Sequence, residues 1–217
     1  MAEGRLFIGT KMYSSWSLRG WLAVRLAGLE VEEVVIPLAG GATAAVKEAT
    51  PSGTVPYLEH RGARIWESLA IIEYCAEIAP ALWPADPAVR AHARSIAAEM
   101  HAGFRGLRMA MPMTLLNRFP GQGRTAEALA DIARIEAIWR EALLASGGPF
   151  LFGTEFGAAD AMFAPVAFRF LTWEPEISER SRAYVEAVRA HPLVQRWYEE
   201  AAAEPAEWRL PKYEQQP

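Results

Sequence analysis

The spacing of apolar residues divides this chain in two, near a run of prolines at Pro80, Pro84 and Pro87. Upstream of that run, short β-forming stretches alternate with helical patterns. Leu6-Phe7-Ile8 is continuously apolar, as in a strand covered on both faces. Leu18, Leu22, Leu26 and Leu29 then recur at helical spacing, and Gly28 stands where a helix would stop. Residues 31–36 read as a second strand. Strand, helix and strand in that order predict a right-handed βαβ unit with parallel strands. Residues 39–50 read as loop and short helix. Residues 57–60 and 63–66 flank Arg61-Gly62, a tight-turn pair, and predict a hairpin. Glu67-Ser68 opens a helix to about Ile78. Its apolar residues, Leu69, Ile71, Ile72, Cys75 and Ile78, wrap most of its circumference, as in a helix packed between layers.

Beyond the prolines the pattern is helical throughout. Residues 88–111 read as one long helix with a stripe of Met100, Phe104, Leu107 and Met111, expected as core or subunit surface, and Pro112 should end it. Residues 125–145 form a second long helix closed by Gly147-Gly148-Pro149. A compact apolar helix follows over 158–171, then shorter ones over 179–190 and 192–203, where His191-Pro192 resembles a cap followed by proline at the first helical position. The expected organisation is an α/β unit over 1–79, a linker over 80–87 and an all-helical unit over 88–217.

Bulk properties narrow the function classes. A chain of 217 residues, 52% hydrophobic and 22% charged, has the balance of a globular protein with a sizeable core. The formal net charge is −4 and no basic run stands out, so no nucleic-acid partner is expected. No apolar stretch is long enough to span a bilayer, and no signal-peptide core precedes the first strand. The single cysteine, Cys75, fits a reducing compartment and sits mid-helix among apolar neighbours, where core is the expected role. A cytoplasmic location follows as the expectation. The four histidines have no metal-ligand spacing, so no metal is expected. Gly121-Gln122-Gly123-Arg124 lacks the strand and the Lys-Ser/Thr of a P-loop.

Three stretches could carry chemistry. Tyr13-Ser14-Ser15-Trp16-Ser17 places hydroxyls at the start of a helix, where unpaired N–H groups and the macrodipole favour an anion. Such a serine can be an N-cap, an anion ligand or both. Val55-Pro56 enters a strand that belongs in the middle of the sheet. A cis bond there would leave the Val55 N–H and C=O free to pair with an extended peptide-like ligand, and a plain trans proline at a strand's start would not. Glu67-Ser68 is a second hydroxyl-bearing helix start.

Taken in order, Ser14-Ser15-Trp16-Ser17 after a strand, Thr54-Val55-Pro56-Tyr57-Leu58-Glu59, the Glu67-Ser68 helix and the all-helical second half resemble the glutathione transferases, and most of all the serine-type zeta class and its bacterial relatives. The stretch from Phe152 to Asp160 is similar to the family's capping box, with Asp160 expected to reach back to the Gly157 N–H. The resemblance implies a thioredoxin-like βαβ-ββα N-terminal domain and an all-helical C-terminal domain. It implies glutathione as co-substrate, a small electrophile as second substrate, a detoxifying transferase activity and a homodimer packed through the helices that begin at Ala88 and Thr125. By the same resemblance Ser14, or else Ser15, donates to the glutathione sulfur. Val55, before a cis Pro56, pairs with the cysteinyl backbone, and Thr54 lies at the glycyl end. Glu67 answers the γ-glutamyl ammonium and Ser68 its carboxylate. Trp16 stands where the zeta-class pattern has cysteine, and Gly157 where the family has serine or threonine. Isomerase or dehalogenase chemistry using glutathione, or binding without catalysis, are the alternatives. A thiol of pKa ~8.5 is mostly protonated at neutral pH. One charge-assisted hydrogen bond, about 1.5–3 kcal/mol, lowers that pKa by roughly one to two.

Overall fold

The computed structural model describes residues 2–214. Its first part runs β1 (Gly4–Gly9), α1 (Ser15–Leu26), β2 (Glu32–Ile36), α2 (Ala44–Ala49), β3 (Tyr57–His60), β4 (Ala63–Trp66) and α3 (Ser68–Ile78). The strands form one mixed sheet in the order β2-β1-β3-β4, with β1 parallel to β2 and antiparallel to β3, and β4 antiparallel to β3. The apolar run in β1 is covered on both sides. Leu6 and Ile8 join Leu18 and Leu22 of α1 and Ile71 and Ile72 of α3 in the main core. Phe7, pointing the other way by the strand's two-residue period, stacks on Tyr57 at 5.4 Å and packs with Ile36 and Val46 of α2. Arg61 and Gly62 both have positive φ (47° and 85°), as a two-residue hairpin requires. The Val55-Pro56 peptide bond is cis. The Pro56 ring lies so close to α1 that a Cβ on Gly20 would come within 2.8 Å of it.

A 3-10 turn, Pro80–Leu82, leads out of α3, with Leu82 and Trp83 buried rather than solvated. The helical domain comprises α4 (Pro87–Ala102), α5 (Arg105–Ala110), α6 (Ala126–Ser146), α7 (Ala158–Trp173), α8 (Glu179–Ala190) and α9 (Pro192–Ala202), and a last turn spans Pro211–Glu214. Every residue of α7 except Leu171 is buried. Trp139 of α6 meets Phe163 and Phe170 of α7 and Tyr184 of α8, and Trp197 of α9 meets Trp21 of α1 edge-on at 5.4 Å. Helix α1 packs on α3, α7 and α9, so it belongs to both cores at once. Cys75 is fully buried, and burial pushes its thiol up to about 12, far from thiolate chemistry. Among the described residues no helix is long and apolar enough to cross a membrane.

One sequence expectation fails. Residues 88–111 are not one helix: the chain is extended at Gly103 and left-handed at Phe104 (φ 60°, ψ 42°), and α5 sets off on a new axis. The break is specified by tertiary partners that periodicity cannot see. Gly106 runs so close to α6 that a Cβ would lie 2.6 Å from the Glu127 backbone, and Asp131 Oδ2 accepts the Leu107 N–H at 2.9 Å. Arg108 reaches back to the freed carbonyls of Met100, His101 and Gly103 and closes the end of α4. The stripe remains core, since Met100, Phe104, Leu107 and Met111 are all buried.

Asp160 organises the helical domain as the capping box predicts. Its carboxylate accepts from Gly157 N at 2.9 Å, Leu151 N at 3.0 Å and Tyr184 Oη at 3.0 Å, and the residue is 1% exposed. Removing it strands three buried donors, each costing about 1–3 kcal/mol. Asp160→Ala should therefore lower unfolding free energy by about 3–5 kcal/mol in a denaturant titration, well beyond an ordinary N-cap loss.

Candidate functional site

The turn between β1 and α1 carries hydroxyls whose roles differ. Ser14 is the N-cap of α1: its Oγ accepts from Ser17 N at 3.3 Å and donates to Ser17 Oγ at 2.7 Å, which in turn accepts from Gly9 N. Its proton is thus committed within the cap. Ser15 Oγ accepts from Arg169 Nη2 at 3.4 Å and makes no donation of its own among the described residues. Both serines are buried but border a cavity of about 500 Å³, together with Trp16, Thr54, Val55, Arg108 and Arg169.

The turn is held mainly from the helical domain. Glu204 accepts the N–H groups of Lys11 (2.5 Å) and Met12 (3.1 Å), and Trp197 Nε1 donates to the Lys11 carbonyl at 3.1 Å. Buried Lys11 Nζ pairs with both Glu33 and Glu200. Tyr13 donates to Glu214 and accepts the Leu210 N–H. Burial and the Glu214 carboxylate push its phenol up to about 12, so it is neutral near pH 7.

A second cavity of about 370 Å³ adjoins the first, sharing Trp16, Thr54 and Val55 and adding Pro56, Glu67 and His101. Among the described residues the Val55 N–H and C=O enter no hydrogen bond. Glu67 holds a positive φ (68°), a conformation that costs a non-glycine residue about 1–3 kcal/mol. Next to it, Ser68 Oγ is fully buried at the first turn of α3 with no partner. Ser14, Ser15, Thr54, Val55, Pro56 and Glu67, far apart in sequence, thus line one pair of joined cavities, and Ser68 is buried at their edge of α3.

A model of the glutathione S-transferase N-terminal domain matches residues 13–78, and one of the C-terminal domain matches residues 122–200. A probable maleylacetoacetate isomerase of Caenorhabditis elegans is 31% identical over 160 residues, 71% of this chain and 72% of its own. The chain belongs to the glutathione S-transferase family. In structure it shares its fold with a glutathione transferase homologue from Burkholderia GL BGR1 with bound glutathione (TM-score 0.72, 23% identity, covering 93% of this chain and 99% of that one). A maleylacetoacetate isomerase from Anaeromyxobacter dehalogenans 2CP-1 superposes with a TM-score of 0.67 at 24% identity, over 96% and 97% of the two chains.

Sequence reasoning on this glutathione S-transferase chain missed a cluster of arginines. It did not single out Arg19 or Arg169. Arg19 and Arg169 are buried, and Arg108 is half-buried. The guanidinium carbons of Arg19 and Arg108 lie 4.6 and 4.4 Å from the centre of the Trp16 ring. Arg169 donates to the carbonyls of Met111 and Pro165 as well as to Ser15. A signal was present: Arg169 is the one basic residue in the apolar run of α7. An arginine on a buried face has to answer to something.

The Lys11 contacts give the docking of the turn a pH dependence. Burial disfavours ionised Glu33 and Glu200. Lys11, with Trp21 and Arg25 for Glu33 and Arg196 for Glu200, outweighs it and holds both carboxyls below the ordinary glutamate value. Depressed folded values mean stability that is complete above the unfolded pKa of about 4.5 and is lost as pH falls through them. Lys11→Met should cost about 2–3 kcal/mol in denaturant unfolding at pH 7, and the gap from the native chain should narrow below about pH 4.5.

Proposed function

We propose that the joined cavities bind glutathione and ionise its thiol for attack on a small electrophile. The observation that carries this reading is the pair of free Val55 peptide groups beside cis Pro56, set between two helix starts that bear serines. A cysteinyl backbone can pair with Val55 as one more short β rung. Its sulfur then lies toward Ser14 and Ser15. The γ-glutamyl carboxylate goes to the unpartnered Ser68 hydroxyl and the first N–H groups of α3, where the macrodipole favours an anion. Glu67 answers the ammonium, and the exposed Thr54 stands at the glycyl end. Residues 1–79 form the glutathione-binding unit, joined through 80–87 to residues 88–217, which shape the electrophile pocket. Ser15 is the better-placed sulfur donor, because the Ser14 proton is spent on Ser17.

We also propose the homodimer of the family, with α4 and α6 at the two-fold. Their exposed Val89, Leu129 and Leu144 suit such a contact. The kinship with proteins named maleylacetoacetate isomerase favours a second reading, isomerisation of an unsaturated acid, in which glutathione adds and leaves again. The two differ in bookkeeping: a transferase consumes free thiol as product forms, and an isomerase returns it.

Isothermal titration should show reduced glutathione binding, and a chromogenic electrophile should be turned over. Ser15→Ala should lower turnover at pH 7 about 10- to 100-fold, the loss of one charge-assisted hydrogen bond. Ser68→Ala should weaken glutathione binding about tenfold with little effect on the thiol. Full turnover by the Ser15→Ala protein overturns the assigned role, and absence of glutathione binding overturns the function.

A further inference from the structure

Arg19, Arg108 and Arg169 come from three helices, α1, α5 and α7, and meet around Ser15 and Trp16; Arg108 and Arg169 line the larger cavity, and Arg19 is fully buried against the Trp16 ring. Their surroundings hold almost no negative charge. The one acid that acts on any of them among the described residues is Asp131, on Arg108. Both terminal nitrogens of Arg19 and Nη1 of Arg108 are buried without an acceptor. His101, whose ring meets Trp16 edge-on at 5.3 Å, is the other titratable neighbour. Burial first, and then Arg19 and Arg108, outweigh Glu67 and hold it below the ordinary histidine value. Burial and the Arg108 charge draw Arg169 down to about 9, so it is still a cation at neutral pH.

Like charges gathered in a poorly hydrated place repel one another, and their field is strongest where water is absent. The π face of Trp16 relieves part of that repulsion for Arg19 and Arg108, but a neutral ring cannot cancel a charge. An anion in the cavity would offset part of that repulsion. Ser15 links the cluster to the cavity: its Oγ accepts a hydrogen bond from Arg169, which aligns the hydroxyl and leaves its own proton free to donate into the cavity.

We propose that Arg169, acting through Ser15 and backed by Arg108, is the positioning group that holds the glutathione sulfur as thiolate. This rests on the glutathione reading above. The S–H bond breaks heterolytically, its electron pair stays on sulfur, and the proton leaves to water through the open cleft. Sulfur accepts the Ser15 hydrogen bond, and its negative charge offsets the repulsion among the guanidiniums. Trp16 is then the spacer that holds two guanidiniums beside the site. That gives a physical reason for a large aromatic ring at a position where cysteine would leave both cations unsupported.

The test is a pH titration of the ultraviolet absorbance of glutathione thiolate bound to the full-length protein. It is paired with the Kd of S-methylglutathione, which has no ionisable sulfur. Arg169→Met should raise the bound-thiol pKa by about 1 or more, a tenfold loss of thiolate at pH 7, with the S-methylglutathione Kd within about threefold of the native value. Arg169→Lys should restore most of the thiolate. An unmoved thiol pKa in Arg169→Met, or Arg169→Lys behaving like Arg169→Met, overturns the proposal. If Arg169→Met does not fold, Arg108→Met is read the same way: a rise of about 0.5 supports the charge cluster, and no rise overturns it. Failure of the native protein to bind S-methylglutathione and glutathione alike overturns the glutathione reading itself, a result distinct from binding with an unmoved thiol.

Discussion

The turn from Thr10 to Ser15 satisfies only part of its own backbone, the N–H groups of Tyr13, Ser14 and Ser15, and distant elements satisfy Lys11 and Met12. Leaving the edge of β1 before α1 begins exposes N–H and C=O groups that no ladder can use, and a buried unpaired group costs about 1–3 kcal/mol. The partners come from elements nearly two hundred residues away in sequence. Glu204 accepts from the Lys11 and Met12 N–H groups, and Trp197 donates to the Lys11 carbonyl. The serines that follow are therefore placed by two domains jointly. A site borne on a thioredoxin-like unit depends on a helical domain that shares its core through α1.

The same arrangement explains why one hydroxyl is bound and the next is free. An N-cap works because its side chain turns back into the helix, and Ser14 does so, closing a small network with Ser17 and Gly9. A capped helix start cannot also offer that proton to a ligand. The neighbouring serine can, provided something else fixes its rotamer, and the Arg169 guanidinium is that fixture. In the proposed site, structural and chemical duties are divided between two neighbouring serines.

How much of this was legible in the sequence depended on the range of the interactions. Strands, hairpin and most helices follow from local periodicity and turn chemistry: the Arg61-Gly62 turn, the Gly28 stop and the His191-Pro192 start all lie where their residue types put them. Asp160 was legible because a capping box is local. The break at Gly103-Phe104 was not, because its causes, the close passage of Gly106 by Glu127 and the Asp131 acceptor, lie on α6. Within the site, the hydroxyl and proline motifs could be read because each is a contiguous string. The three arginines could not, since each sits alone in its own helix and only packing makes them a cluster.

That difference bears on where chemical identity is written in such a fold. The groups proposed to take a peptide backbone and a carboxylate, Val55 and Ser68, are local to the small domain, one beside Pro56 and the other at a helix start. The arginines proposed to set the electrostatics at the sulfur come from α1, α5 and α7, and two of those helices belong to the all-helical half. A guanidinium exerts its field through a dry interior over several ångströms, so it need not lie beside the motif it serves. Changes in the helical half can then retune the sulfur's basicity and reshape the electrophile pocket together, while the strand-and-turn motifs stay the same. Motifs of this kind identify a shared co-substrate far more readily than they identify the reaction made from it.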